Sequence, residues 1–130
     1  MTVLRTKVAN HLRIQHTHDL FDINFPLSLE PLVYTFAGNM AEEYSGGYWE
    51  FYTLSNGGFY MAPDSDNPFK VCCENGYEGT LSADSLGITV CLYAYSHLSF
   101  TDEVFINHYH WLREYMLEHN DAEDILRAID

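Results

Sequence analysis

The hydrophobic pattern divides the chain into an obscure start, an aromatic middle and a helical end. From Val8 to Phe21 the apolar positions mix a period of two with one of 3.6. Residues 1–27 are therefore read as an arm, with a short helix or irregular structure over Val8 to Phe21 and a connector at Asn24-Phe-Pro-Leu-Ser28. Val33, Phe36, Ala37, Met40 and Tyr44 then recur at helical spacing. Ser28 stands where an N-cap belongs, and Pro31 is tolerated in a first turn. Glu42 and Glu43 fall at the polar end of this helix, and Ser45-Gly46-Gly47 stops it.

Tyr48 to Leu54 is dense in aromatic and β-branched residues, a strand composition. Alternation puts Trp49, Phe51 and Thr53 on one face and Tyr48, Glu50 and Tyr52 on the other. Asn56-Gly57-Gly58 supplies the positive φ of a tight hairpin. Phe59 to Ala62 returns as a second strand. Pro63 to Pro68 is a loop, and Phe69 to Glu74 is a third strand. Leu86 to Leu98 is almost wholly apolar and too long for a strand, so it predicts a buried helix capped by Ser82-Ala-Asp-Ser85. Thr101-Asp102-Glu103 opens another helix, with Phe105, Tyr109, Leu112 and Met116 inward and Val104, Trp111 and Tyr115 widening the stripe. Asn120 to Glu123 has capping-box spacing and starts a last helix with Ile125, Leu126 and Ile129 inward. The expected fold class is α+β: a three-stranded antiparallel meander packed with about four helices, one compact domain over residues 1–130.

Charge changes the picture more than composition does. Apolar residues make up 47% of the 130, and aromatics 15%, enough for a real core. Against 19 Asp and Glu stand six Lys and Arg, a net charge of −13. Lys70 is the only basic residue between Ile14 and Leu112. Binding to nucleic acid or to anionic lipid needs clustered Lys and Arg, so neither is expected. Cys72, Cys73 and Cys91 form an odd set with an adjacent pair, which suits a reducing compartment. With no apolar h-region at the start and no run near ~20 apolar residues, a soluble cytoplasmic protein is expected.

Candidate chemistry is sparse. His16-Thr-His18 and His108-Tyr-His110 lack metal-ligand spacing, as does Cys72-Cys73. Ser96-His97 carries no nucleophile elbow, and both Gly-Gly pairs read as turns rather than phosphate cradles. No catalysis, metal or cofactor is expected. A direct DNA mimic needs about one charge per 1.7 Å of axis. The best array, Glu103, Glu114, Glu118 and Asp121, offers two to three carboxylates per face over a helix of about 22 Å. The charge is diffuse, and a linear mimic remains the alternative. The candidate partner contacts are Tyr48, Glu50 and Tyr52 on an open sheet face, with acidic patches at Glu42, Glu43 and at Asp121, Glu123, Asp124.

Glu30-Pro-Leu-Val-Tyr34 and the run from Tyr44 through Ser-Gly-Gly-Tyr-Trp-Glu-Phe-Tyr-Thr-Leu-Ser-Asn-Gly-Gly-Phe-Tyr-Met-Ala to Pro63 closely resemble the antirestriction proteins of the ArdB/KlcA group. Ala83-Asp-Ser-Leu-Gly-Ile-Thr-Val90 and Tyr95-Ser-His-Leu98 are similar to the same group. The resemblance runs from about Leu29 to the C-terminal helices. It implies a small α+β protein of plasmids or other mobile elements that relieves type I restriction of incoming DNA. It carries no catalytic residue to any position here. The implied partners are the host restriction machinery or DNA-processing proteins, met as a monomer or weak dimer.

Overall fold

The segment with the least pattern forms the edge of the central sheet. In the computed structural model, which describes residues 2–130, β1 (Arg5–Lys7) pairs antiparallel with β2 (Trp49–Leu54), and β2 pairs antiparallel with β3 (Phe59–Pro63). β1 is three residues long and exposed throughout, so no apolar alternation announces it. Buried Val3 and Val8 bracket it, and Val8 N–H donates to Phe51 O at 2.8 Å. The β2–β3 hairpin forms where expected. Its loop closes with Gly57 at φ 104°, the left-handed residue that a three-residue hairpin loop requires.

The third expected strand lies elsewhere. β4 (Phe69–Cys72) pairs with β5 (Glu78–Leu81) in a separate two-stranded sheet, tied to the rest by a bridge from Val71 to Ala41. A helix excludes β4 from the edge of β3. α3 (Ala83–Leu98) runs along that edge with Gly87, Cys91 and Tyr95 facing it, four residues apart. Tyr95 Oη donates to Phe59 O at 2.6 Å, and the Cys91 thiol lies 3.6 Å from Met61 O. The two carbonyls that another strand would use are thereby satisfied by side chains, which protects an otherwise open edge.

The remaining helices differ from expectation mainly at their ends. A short 3₁₀ turn (Asn10–Leu12) leads into α1 (Arg13–Phe21), which Asp22 ends at φ 52°. A π-helical turn (Phe25–Leu29) runs directly into α2 (Glu30–Met40), so Ser28 sits inside helical structure and caps nothing. α2 ends at Met40, before Glu42 and Glu43. Asp102 caps α4 (Glu103–Met116) by accepting from Val104 N–H at 2.9 Å. In α4 the buried residue between Phe105 and Leu112 is His108, not Tyr109. The expected box at α5 (Ala122–Ile129) does not form: the helix starts one residue late, with Asp121 rather than Asn120 at the N-cap, Glu123 pairs with Arg127, and the Asp121 carboxylate is turned to α3. Ile125 and Ala128 are the buried residues of α5.

Both faces of the sheet are covered. Phe51 and Phe59 lie edge-on to Phe25 at 5.6 and 5.8 Å between ring centres, and Phe21 extends the cluster to Tyr95 and Phe105. On the other face Tyr52 stacks on Tyr60 at 4.9 Å, and Tyr60 on Tyr115 of α4 at 5.7 Å. Each fully buried aromatic or aliphatic side chain contributes about 1.5–3 kcal/mol.

Candidate functional site

The densest polar cluster sits where α3 begins. Its Ser82 cap and Asp84 in the first turn come from the stretch that reads as a helix start. β1 brings Arg5, β3 brings Tyr60, and the turn after α4 brings His119. Arg5 Nη1 donates to Asp84 Oδ1 and to Tyr60 Oη, each at 2.7 Å. Tyr60 Oη donates to the same Asp84 oxygen at 2.7 Å. The Arg5 guanidinium also lies 4.3 Å above the Tyr52 ring. His119 Nε2 is 2.8 Å from Asp84 Oδ2.

These contacts determine the chemistry. Burial opposes ionisation of Asp84, but the hydrogen bonds from His119 and Tyr60 and the Arg5 charge outweigh it, so Asp84 titrates below its usual range. Burial pushes the Tyr60 phenol well up, reinforced by the Asp84 charge, so Tyr60 stays a donor. Asp121 N–H donates to His119 Nδ1 at 3.0 Å, which leaves the proton on Nε2 facing Asp84. Both imidazole nitrogens are spent on structure. Ser85 Oγ gives its proton to Asp121 Oδ2 at 2.6 Å rather than to His119. Among the described residues of this cluster no serine hydroxyl contacts the histidine as the nucleophile and base of a hydrolase do. Among the described residues no three His, Cys, Asp or Glu side chains converge as metal ligands. Cys91 is buried and its thiol is pushed up to about 12 by desolvation, and burial raises Cys73 too.

The structure scatters the expected contact residues. Tyr52 is only 9% exposed, lying under Arg5, so the open face of Tyr48, Glu50 and Tyr52 does not exist. Side chains of β1 cover it: Arg5 lies over Tyr52, and Lys7 pairs with Glu50 at 3.6 Å. Tyr48 is exposed but turns the other way: Arg13 lies over both Tyr48 and Phe51, and Tyr48 Oη donates to Asn10. Asp121 faces inward to Ser85. Glu123 pairs with Arg127 at 2.8 Å, and Asp124 accepts from Tyr77 Oη at 3.4 Å. Glu43 accepts from Lys70 N–H at 3.3 Å. Among the described residues Glu42 and Tyr52 are the two of the eight that make no side-chain hydrogen bond or ion pair, and Tyr52 instead stacks on Tyr60 beneath Arg5. The acidic array along the late helices is broken as well, since Glu114 accepts from Asn56 at 2.7 Å and Asp121 is turned in.

The family model described as Antirestriction protein matches residues 42–130. The chain belongs to the antirestriction protein family. The antirestriction protein KlcA of Escherichia coli is 38% identical over 137 residues, covering 98% of this chain and 94% of that protein. The uncharacterized protein YafX of Escherichia coli strain K12 is 46% identical over 109 residues, 80% of this chain and 72% of that one. A solved structure matches with a TM-score of 0.92 at 36% identity, covering 100% of this chain and 96% of that chain. It is described as showing that the KlcA and ArdB proteins have a novel fold and antirestriction activity against type I DNA restriction systems in vivo but not in vitro. The antirestriction fold thus includes the N-terminal strand and α1, which lie before the region that the family model matches.

Sequence reasoning missed the Arg5–Tyr60–Asp84–His119 cluster. Arg5 and Asp84 are 79 positions apart and Asp84 and His119 are 35 apart, so no local spacing links them. The available signal was slight: a carboxylate just inside a cap, in a chain with few basic residues to face it.

Proposed function

We propose that this protein relieves type I restriction of incoming plasmid or phage DNA in the host cytoplasm, by protein–protein contacts and without catalysis. The partner is the host restriction machinery or a DNA-processing protein, and the whole chain acts as one domain. The observation that carries this reading is the behaviour of KlcA and ArdB, active in vivo but not in vitro. A protein that filled the DNA channel of a restriction enzyme would inhibit that enzyme in purified form. Activity confined to the cell points to a further cellular component.

The charge distribution supports the same reading. Duplex DNA presents about one charge per 1.7 Å. Here Glu50, Asp84, Asp121 and Glu123 are tied to neighbours within the fold. The −13 remains as a general field that repels nucleic acid and draws basic surfaces.

Purified protein, added in excess to a purified type I enzyme with unmodified DNA, is expected to leave cleavage unchanged at low salt. Inhibition that weakens steeply as salt rises would reinstate a direct DNA mimic.

A further inference from the structure

The geometry points to the aromatic groove beside α3 as the docking site for a basic, apolar segment of a host protein, whose Arg or Lys side chains lie across the rings. This inference rests on the antirestriction reading and names the chemistry of its partner. The groove holds about 500 Å³ and is floored by Phe36, Tyr93 and His97. Phe36 meets Tyr93 edge to face at 5.7 Å and His97 at 6.1 Å. Tyr93 Oη donates to Ala128 O at 2.5 Å, which holds that ring in place. Phe100, at the turn into α4, stands beside the floor and is 92% exposed. A smaller hollow of about 180 Å³ continues the groove past Tyr109 to Ile106, itself 41% exposed.

A phenylalanine held almost wholly in water loses the benefit of burial and gains nothing within the fold. Exposed aromatics beside a rigid concave floor are the anchors of protein interfaces. The charge around it specifies the partner. None of the six Lys and Arg lines the groove or its extension, whereas Glu74 does, and Asp102 and Glu103 stand two and three residues after Phe100. Ring faces attract guanidinium and ammonium groups, and a carboxylate at the rim completes such a site. A second copy carrying −13 is repelled, and so is nucleic acid.

The test pairs two readouts on surface variants that leave the core intact, Phe100→Ala and Glu74→Lys, with Glu118→Lys as an acidic control outside the groove. In restricting cells, both groove variants are expected to lose restriction relief by about tenfold or more, the loss of one interface anchor, while Glu118→Lys keeps it. In solution, the capped peptide Leu-Arg-Leu-Arg-Leu-Arg is expected to shift amide NMR signals of Tyr93, His97 and Phe100. The matching Leu-Glu peptide is expected to shift none, and Glu74→Lys is expected to abolish the response. Full relief by both groove variants overturns the proposal. So does equal binding of the two peptides, no shift with either, or shifts spread over the acidic surface. If the unaltered protein gives no relief, the antirestriction reading falls, and the peptide titration alone decides whether the groove binds basic segments.

Discussion

Gly87→Ala is expected to lower the free energy of unfolding by about 3 kcal/mol, and Gly87→Val to leave little soluble protein. The sign is opposite to that of an ordinary helix. Glycine inside a helix is about 1 kcal/mol worse than alanine, so the same exchange on an open helix face stabilises. At position 87, however, a Cβ would lie 2.4 Å from Met61 O, 2.4 Å from Ala62 Cβ and 2.5 Å from Ala62 Cα. Two of those three atoms are strand backbone and cannot swing aside. α3 must therefore lift from β3, which stretches the Cys91 and Tyr95 contacts to the strand carbonyls. Urea unfolding of Gly87→Ala measures the effect. A midpoint unchanged or raised would show that the helix does not press on the strand there.

The second large effect is a loss of stability in acid, traced to one histidine. His108 is 1% exposed, with its ring 4.3 Å from Phe21, 5.1 Å from Trp111 and 5.6 Å from Tyr95. Burial drops its pKa from 6.5 to about 4. The unfolded chain therefore binds a proton near pH 6.5 that the folded chain refuses until about pH 4. His108 thus leaves stability unaffected above pH 6.5 and removes a growing amount as pH falls through that window, about 3 kcal/mol at its lower end. Its Nδ1 is also buried with no hydrogen-bond partner among the described residues. His108→Leu removes the orphan atom and the titration together. At neutral pH it is expected to be neutral or stabilising by about 1 kcal/mol. Near pH 4 the advantage is expected to widen by about 3 kcal/mol more. Urea unfolding of both proteins at pH 7, 5 and 4 measures it, and parallel acid losses would refute the assignment.

The sequence was most legible where one local rule acted alone. The β2–β3 hairpin follows from aromatic alternation and Asn56-Gly57-Gly58, and α3 follows from thirteen nearly continuous apolar positions after a serine cap. It was least legible where distant elements compete for one surface. β1 has no apolar period because its three residues are all exposed, yet Arg5 and Lys7 cover the face where Tyr52 looked free. Phe69 to Cys72 has strand composition, but the edge it would join is taken by Tyr95 and Cys91 of α3. The capping box at Asn120 fails because the helix starts one residue late, at an Asp121 cap whose carboxylate goes to Ser85, and Glu123 pairs with Arg127. The candidate contacts rest on inferred exposure, which holds at Glu42, Glu43, Tyr48 and Glu123, is reduced at Glu50, Asp121 and Asp124, and fails at Tyr52. The groove at Phe100 gave no motif, since its rings come from α2, α3, the α3–α4 turn and α4.

The measurement that tests the account most directly is the plating of unmodified phage. Three cultures are compared: a host with an active type I restriction system, the same host expressing this protein, and a restriction-deficient host. The account predicts that expression raises plating on the restricting host toward that of the deficient one and leaves the deficient host unchanged. Unchanged plating on the restricting host, with abundant folded protein present, would contradict it.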